Sequence, residues 1–331
     1  MLDDVFDGIQ PGEPSFAMFR RWIQEYEDMV VGSSDRLASN EVHSQLSGTL
    51  EVKLLALRTT NSMDSIHFVS TYAPIFLELV RSNPDLCPSH DSVSIPLARV
   101  LTSGRYELGH FILLDLVCPM AYGVPPVLDY DTSLPPSESN ARLHDWINGC
   151  PLEMKLILAN INKHVAWARV LPSPDWRPLE QQLLSWQPRL HSVAQEESWK
   201  RIARLAVQES WRQALLIYLY MAVCGVASND PRVASSVRQV FQVVDTVKPR
   251  LQTVTSGQFL MQQFIAGICT PHEKQRAQVR SKLSNVIETM IWLFPVSKFV
   301  PVLDHLWHGA AAEGRPILWR DYVDSRKAVI P

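Results

Sequence analysis

The stretch that most constrains this chain runs from Glu196 to Gly225. It opens amphipathic, with Trp199, Ile202, Ala203, Ala206 and Ser210 on one helical face, and is apolar on every side from Ala214 to Cys224. A helix that changes in this way must run from the surface into the middle of a helical protein. Gly225 follows as a residue free to take the left-handed conformation that commonly ends helices. The apolar run of eleven residues falls short of the roughly 18 to 20 that a membrane span needs, so burial in protein is expected.

Other segments repeat the helical period. Phe16 to Val30 predicts a first helix closed by Gly32, preceded by an acidic tail over 1–15 that is too polar to order itself. Ser34 to Ser47 reads as a loop, with helix resuming at Leu50 and a break near Ala73 imposed by Pro74. Glu107 to Ala121 predicts a second buried helix. Pro151 to Trp167 predicts an amphipathic one, and short helices are expected before Leu101 and over Leu179 to Trp186. Asp230 and Pro231 form an N-cap and N1 pair ahead of the stripe Val233, Val237, Val240, Phe241 and Val244. Thr270-Pro271-His272-Glu273 has the spacing of a capping box, opening a helix that carries Leu283, Val286, Ile287 and Met290. Phe299, Val302, Leu303, Leu306 and Trp307 make the last stripe. Long strand-like alternations are missing. The fold class is therefore all-α: one large multi-helix domain over 16–331, its helices packed orthogonally around a central buried one. The proline-rich connector Tyr122 to Ser139 packs on it, and the place for a subdivision is near 122–150.

Charge narrows the function. With 31 basic against 34 acidic side chains and a net charge of −3, the chain lacks the basic footprint of a nucleic-acid-binding domain. Lys274, Arg276, Arg280 and Lys282 form a local basic row, read as a solvated helix face. The five cysteines lie at least 31 residues apart, so no short metal-binding spacing exists and they are read as free thiols of a reducing compartment. His305 and His308 are spaced for a shared helix face but lack a third ligand at motif spacing. His110 and Asp115 are five apart, off the paired-ligand spacing. Nucleotide-binding, metalloprotease and nucleophile-elbow signatures are all missing. No catalytic, cofactor-binding or metal residue is assigned.

Beyond this the residues resemble a known family. Glu209 to Met221, Cys224-Gly225 and Asp230 to Val233, with Val243 to Pro249, Pro301 to Trp307, Gly314-Arg315-Pro316 and Trp319, resemble the fungal-specific transcription factor domain; Ser103 to Phe111 and Trp146 to Pro151 are similar too. The likeness spans roughly 45–325. It implies a nuclear, non-DNA-contacting regulatory region of an RNA polymerase II transcription factor, acting through transcriptional co-regulators, self-association or a hydrophobic small-molecule effector, away from membranes. The family's Zn₂Cys₆ cluster is not in this sequence. Zinc and DNA contact are thus expected only of a cluster upstream of Met1, unless the regulatory domain stands alone. The alternatives are a stand-alone effector-binding module, for which ten tryptophans would line an apolar pocket, and an all-α enzyme built from distant residues.

Overall fold

The computed structural model describes residues 17–18, 21–26, 39–60, 64–89, 93–133, 149–167, 175–188, 198–247, 257–285 and 296–330. The fold is all-α. Its elements are α1 (Ser39–Thr60), α2 (Ser65–Arg81), β1 (Ile95–Pro96), α3 (Leu97–Thr102), α4 (Tyr106–Tyr122), β2 (Tyr130–Asp131), α5 (Leu152–Trp167) and α6 (Arg177–Ser185). They continue with α7 (Ser198–Tyr218), which runs into a π turn at Leu219–Val223, then α8 (Pro231–Val247), α9 (Leu260–Cys269), α10 (Glu273–Leu283), α11 (Val300–His308) and α12 (Trp319–Val329). Of the expected tail and first helix, only 17–18 and 21–26 are described. They are helical, with Ile23 buried and Arg21 paired to Glu25 at 2.8 Å on the surface.

The central element is the one the sequence singles out. α7 packs chiefly against α8 and α9, and the π turn continues it against α5, α8 and α12. Ala214 to Met221 is buried, but Ala222, Val223 and Cys224 are only half-buried, so the helix crosses the core and re-emerges instead of ending inside it. The Cys224 N–H bonds the Leu219 carbonyl at 3.1 Å, the five-residue reach that widens the last turn. Gly225 then takes φ 68°, and the Val226 N–H closes onto the Tyr220 carbonyl at 3.2 Å.

Two neighbours of α7 form as the sequence dictates. The Asp230 carboxylate accepts the Arg232 N–H at 2.9 Å, capping α8 just ahead of Pro231, and the valine stripe of α8 is buried. α5 is amphipathic as expected, burying Leu152, Leu156 and Ala159 while Glu153, Asn160, His164 and the exposed Trp167 line its outer face; α4, packed against it, is buried on nearly all sides. Distant aromatics join these layers: Tyr122, Tyr218, Phe264, Phe299, Trp319 and Tyr322 form a chain of ring contacts with centroids 4.9 to 5.9 Å apart. The Tyr322 hydroxyl donates to the Ala121 carbonyl. One contiguous hydrophobic core runs from α1 to α12.

Several boundaries differ from expectation. α1 begins at Ser39, inside the expected loop, because its first turns expose Glu41 and Val42 and so show no apolar period. α2 runs unbroken through Pro74, with Asp64 as its N-cap, so no break forms at Ala73. No capping box forms at α10, whose N-cap is His272. The Thr270 hydroxyl instead donates to the Gln275 side chain and accepts the His272 N–H at 3.4 Å. α10 stops at Leu283, and Val286, Ile287 and Met290 lie outside the described residues. β1 and β2 form a parallel two-residue pair that alternation could not reveal. The start of the proline-rich connector does pack on the domain, while 134–148, the middle of the 122–150 stretch near which a subdivision was expected, lies outside the described residues.

Candidate functional site

The interior polar groups serve the fold. Asp115, 1% exposed, accepts the Val127 and Leu128 N–H groups at 3.0 and 3.2 Å and the Tyr130 hydroxyl at 2.8 Å. Burial pushes its carboxyl above the usual carboxylate range, and these three hydrogen bonds oppose that rise. Both oxygens are therefore spent in tying the connector to α4. Asn162 of α5 donates to the Leu116 carbonyl at 2.9 Å and receives the Tyr218 hydroxyl at 3.1 Å, linking α4, α5 and α7. Glu107 holds Ser47 and Arg105, each at 2.8 Å. Glu180 accepts the Tyr220 hydroxyl at 2.8 Å beside Arg232, whose guanidinium lies 4.6 Å from the Tyr220 ring. These carboxylates are scattered and engaged, not gathered in a cleft. His305 and His308 are exposed, and the His308 Nδ1 meets the Asp304 carbonyl at 2.7 Å. Among the described residues no three His, Cys, Asp or Glu side chains converge on one point.

The basic row of α10 is not the uniformly solvated face expected of it. Lys274 is exposed and Lys282 half-buried, but Arg276 is 7% exposed. Arg280 makes two hydrogen bonds to Asp304, at 3.0 and 2.6 Å. Both arginines stack over Trp307, with centroid distances of 5.7 and 5.3 Å. Periodicity spreads the residues over about two turns of one helix; the packing of α11 and the 311–317 segment decides which are covered.

An open, mainly apolar groove of about 440 Å³ lies between the first half of α7 and the end of α8. Ile202, Leu205 and Ala206 form one wall, Val243 and Val247 the other, and Pro188 one end. The one charged residue among its described lining residues, Glu209, is held by Arg212 and Gln213 at 2.7 and 2.8 Å. Ile202, read from sequence as core-facing, is 50% exposed here. None of the described tryptophans lines this groove. Trp211, Trp307 and Trp319 are in the core, while Trp22 and Trp167, each 49% exposed, lie elsewhere. The signal in the sequence was a second i, i+3, i+4, i+7 stripe (Ile202, Leu205, Ala206, Glu209) beside the buried one. A smaller recess of about 60 Å³ lies where the α9–α10 turn meets the 311–317 segment.

Comparison with known proteins gives one match. The family model described as fungal specific transcription factor domain matches residues 106–330, from the first residue of α4 to one residue past α12. No curated protein and no solved structure matches the chain. No described helix is long and apolar enough to cross a membrane.

Proposed function

Because the chain belongs to the fungal specific transcription factor domain family, we propose that it is the regulatory, non-DNA-contacting region of a nuclear RNA polymerase II transcription factor, working through bound partners, self-association or a small effector. Membership suggests a regulatory role in fungal transcription, and the family is not typically enzymatic. The observation that carries the reading is the reach of the match. It takes in α4, the central α7 and the closing α12, and with them most of the hydrophobic core, to which α1, α2 and α3 add from outside the match.

The test joins the 331-residue chain to a heterologous DNA-binding domain in a fungal reporter strain. A change in reporter expression relative to the DNA-binding domain alone is expected; unchanged expression from a stably produced fusion refutes the regulatory reading. The non-DNA-contacting part is tested by titrating the free chain, net charge −3, with DNA at low and physiological salt. Weak, salt-sensitive, sequence-independent binding is expected, and a tight sequence-selective complex overturns it.

A second reading, favoured by the α7–α8 groove, is that the regulating effector is a hydrophobic small molecule. The groove volume of about 440 Å³ is within the roughly 300–1,000 Å³ of small-molecule sites, and its walls are apolar. A panel of hydrophobic metabolites should contain members that raise the melting temperature of the wild type but not of Ile202→Glu. If every stabilising compound acts equally on both, the groove is not the effector site.

A further inference from the structure

The smaller recess holds an unusual charge arrangement. Among the described residues its charged lining residues are Arg276 and Arg315, with no Asp or Glu; Ser228, Asn229 and Thr270 supply polar groups. Arg276 is 7% exposed, yet its hydrogen bonds run to carbonyls, Nε to Thr270 at 3.2 Å and Nη2 to Ala311 at 3.0 Å. These engage two of the five N–H donors of a guanidinium that stays protonated. Arg315 is held in the same manner, to the Gly309 carbonyl at 2.9 Å and the Ala312 carbonyl at 3.3 Å. One turn along α10, Arg280 shows the usual solution: a carboxylate, Asp304.

A buried cation without a paired carboxylate is costly. Burial holds the Arg276 pKa below the usual guanidinium value, Glu273 offsets this in part, and Arg280 adds to it. Glu273 is no substitute partner. Its side chain is 74% exposed and lies 3.9 Å from Arg280. The carbonyl bonds fix both guanidinium groups in direction without neutralising either, which prepares them to receive charge from outside.

We infer that this recess is an oxyanion site that takes a phosphate group, free or carried as a monoester on a small metabolite. Arg276 closes the floor, Arg315 the mouth, and Ser228 and Asn229 the rim. The cavity of about 60 Å³ has room for roughly four to six water-sized spheres of about 10–15 Å³ each, enough for the five heavy atoms of a phosphate. Its openness to solvent at Arg315 leaves space for the ester substituent. The inference stands on this geometry and not on the regulatory reading, and binding and reporter assays can fail separately.

The experiment titrates the full chain with inorganic phosphate and with methyl phosphate by calorimetry, in chloride at matched ionic strength. Saturable binding is expected for at least one of them, and the tighter one identifies the source as free phosphate or a phosphate ester. Arg315→Gln, at an exposed position, should fold normally and weaken binding at least about tenfold, the loss of one charge-assisted contact. Arg276→Lys, checked for folding by circular dichroism, should weaken it comparably, since lysine cannot reproduce the fork. Arg21→Gln, a remote surface arginine paired with Glu25, should leave affinity unchanged. No saturable binding of either ligand overturns the inference, as does equal weakening by Arg21→Gln and Arg315→Gln, which would reduce the effect to general charge attraction.

Discussion

Tyr218 tests how the central helix is held. It is 0% exposed, its hydroxyl donates to the Asn162 Oδ1 at 3.1 Å, and its ring centroid is 5.1 Å from that of Trp319. Tyr218→Phe keeps the ring and strands the Asn162 oxygen in the core, a loss of about 1–2 kcal/mol. Tyr218→Ala also empties the ring site between α5 and α12, and about 3–5 kcal/mol is expected from large-to-small aromatic truncation. For a chain of this length each kcal/mol moves the melting temperature by about 2 °C, so the two variants should melt about 2–4 °C and about 6–10 °C below wild type in calorimetry. In an Asn162→Ala background, Tyr218→Phe should cost little more, giving a coupling of about 1 kcal/mol in the double-mutant cycle. Equal effects of Phe and Ala would show that the ring contributes nothing. Additive effects of Tyr218→Phe and Asn162→Ala would show that the hydrogen bond contributes nothing.

Two side chains of the same helix should separate core from groove: Trp211→Ala, at 0% exposure, should destabilise by about 3–5 kcal/mol, and Ile202→Ala, at 50%, by less than about 1 kcal/mol in thermal unfolding. Asp230 has its folded pKa lowered by its hydrogen bonds to Arg232. The stability it lends is therefore present above the unfolded aspartate value and lost as pH falls through the folded one. Asp230→Ala should cost about 1 kcal/mol at pH 7, and its difference from wild type should shrink below pH 4 in acid titrations of unfolding. Cys224 has its thiol pushed up to about 11, chiefly by burial. At pH 8 iodoacetamide should then label it on the order of a hundredfold more slowly in the native chain than in the unfolded one, as read by mass spectrometry. Equal rates would place the thiol in solvent.

What the sequence made legible follows from which signals are local. The Asp230-Pro231 start of α8 needs only backbone geometry, and Gly225 needs only the left-handed turn; both are in place, at 2.9 Å and φ 68°. The apolar run of α7 is so uniformly hydrophobic that no choice of face was needed. Where a face had to be chosen, the period was insufficient. Ile202 belongs equally to the stripe with Ala203, Ala206 and Ser210 and to the one with Leu205 and Glu209, and only the placement of α8 decides that it borders an open groove. Ser39 and Pro74 misled in the opposite sense. A polar first turn and a proline are poor local helix signals, but tertiary contacts of Leu50, Leu54, Phe76 and Leu79 with the core outweigh them. The aromatic chain from Tyr122 to Tyr322 joins residues too far apart for any window to relate.

The basic row of α10 carries this argument to the candidate anion site. From spacing alone, Lys274, Arg276, Arg280 and Lys282 are interchangeable cations along about two turns of helix. Folding makes them different: one is in solvent, one is bonded to Asp304, and one is turned inward over Trp307 against carbonyls of Thr270 and Ala311. Arg315 then joins Arg276 across 39 positions of sequence, on a segment whose path is set by Glu313 and Gly314 at φ 60° and 73°. Neither arginine signals a site by its neighbours in sequence. The signal is two carbonyl-bonded arginines lining one small recess with no acid among its described lining residues, a property of the packing of α9, α10 and the 311–317 segment.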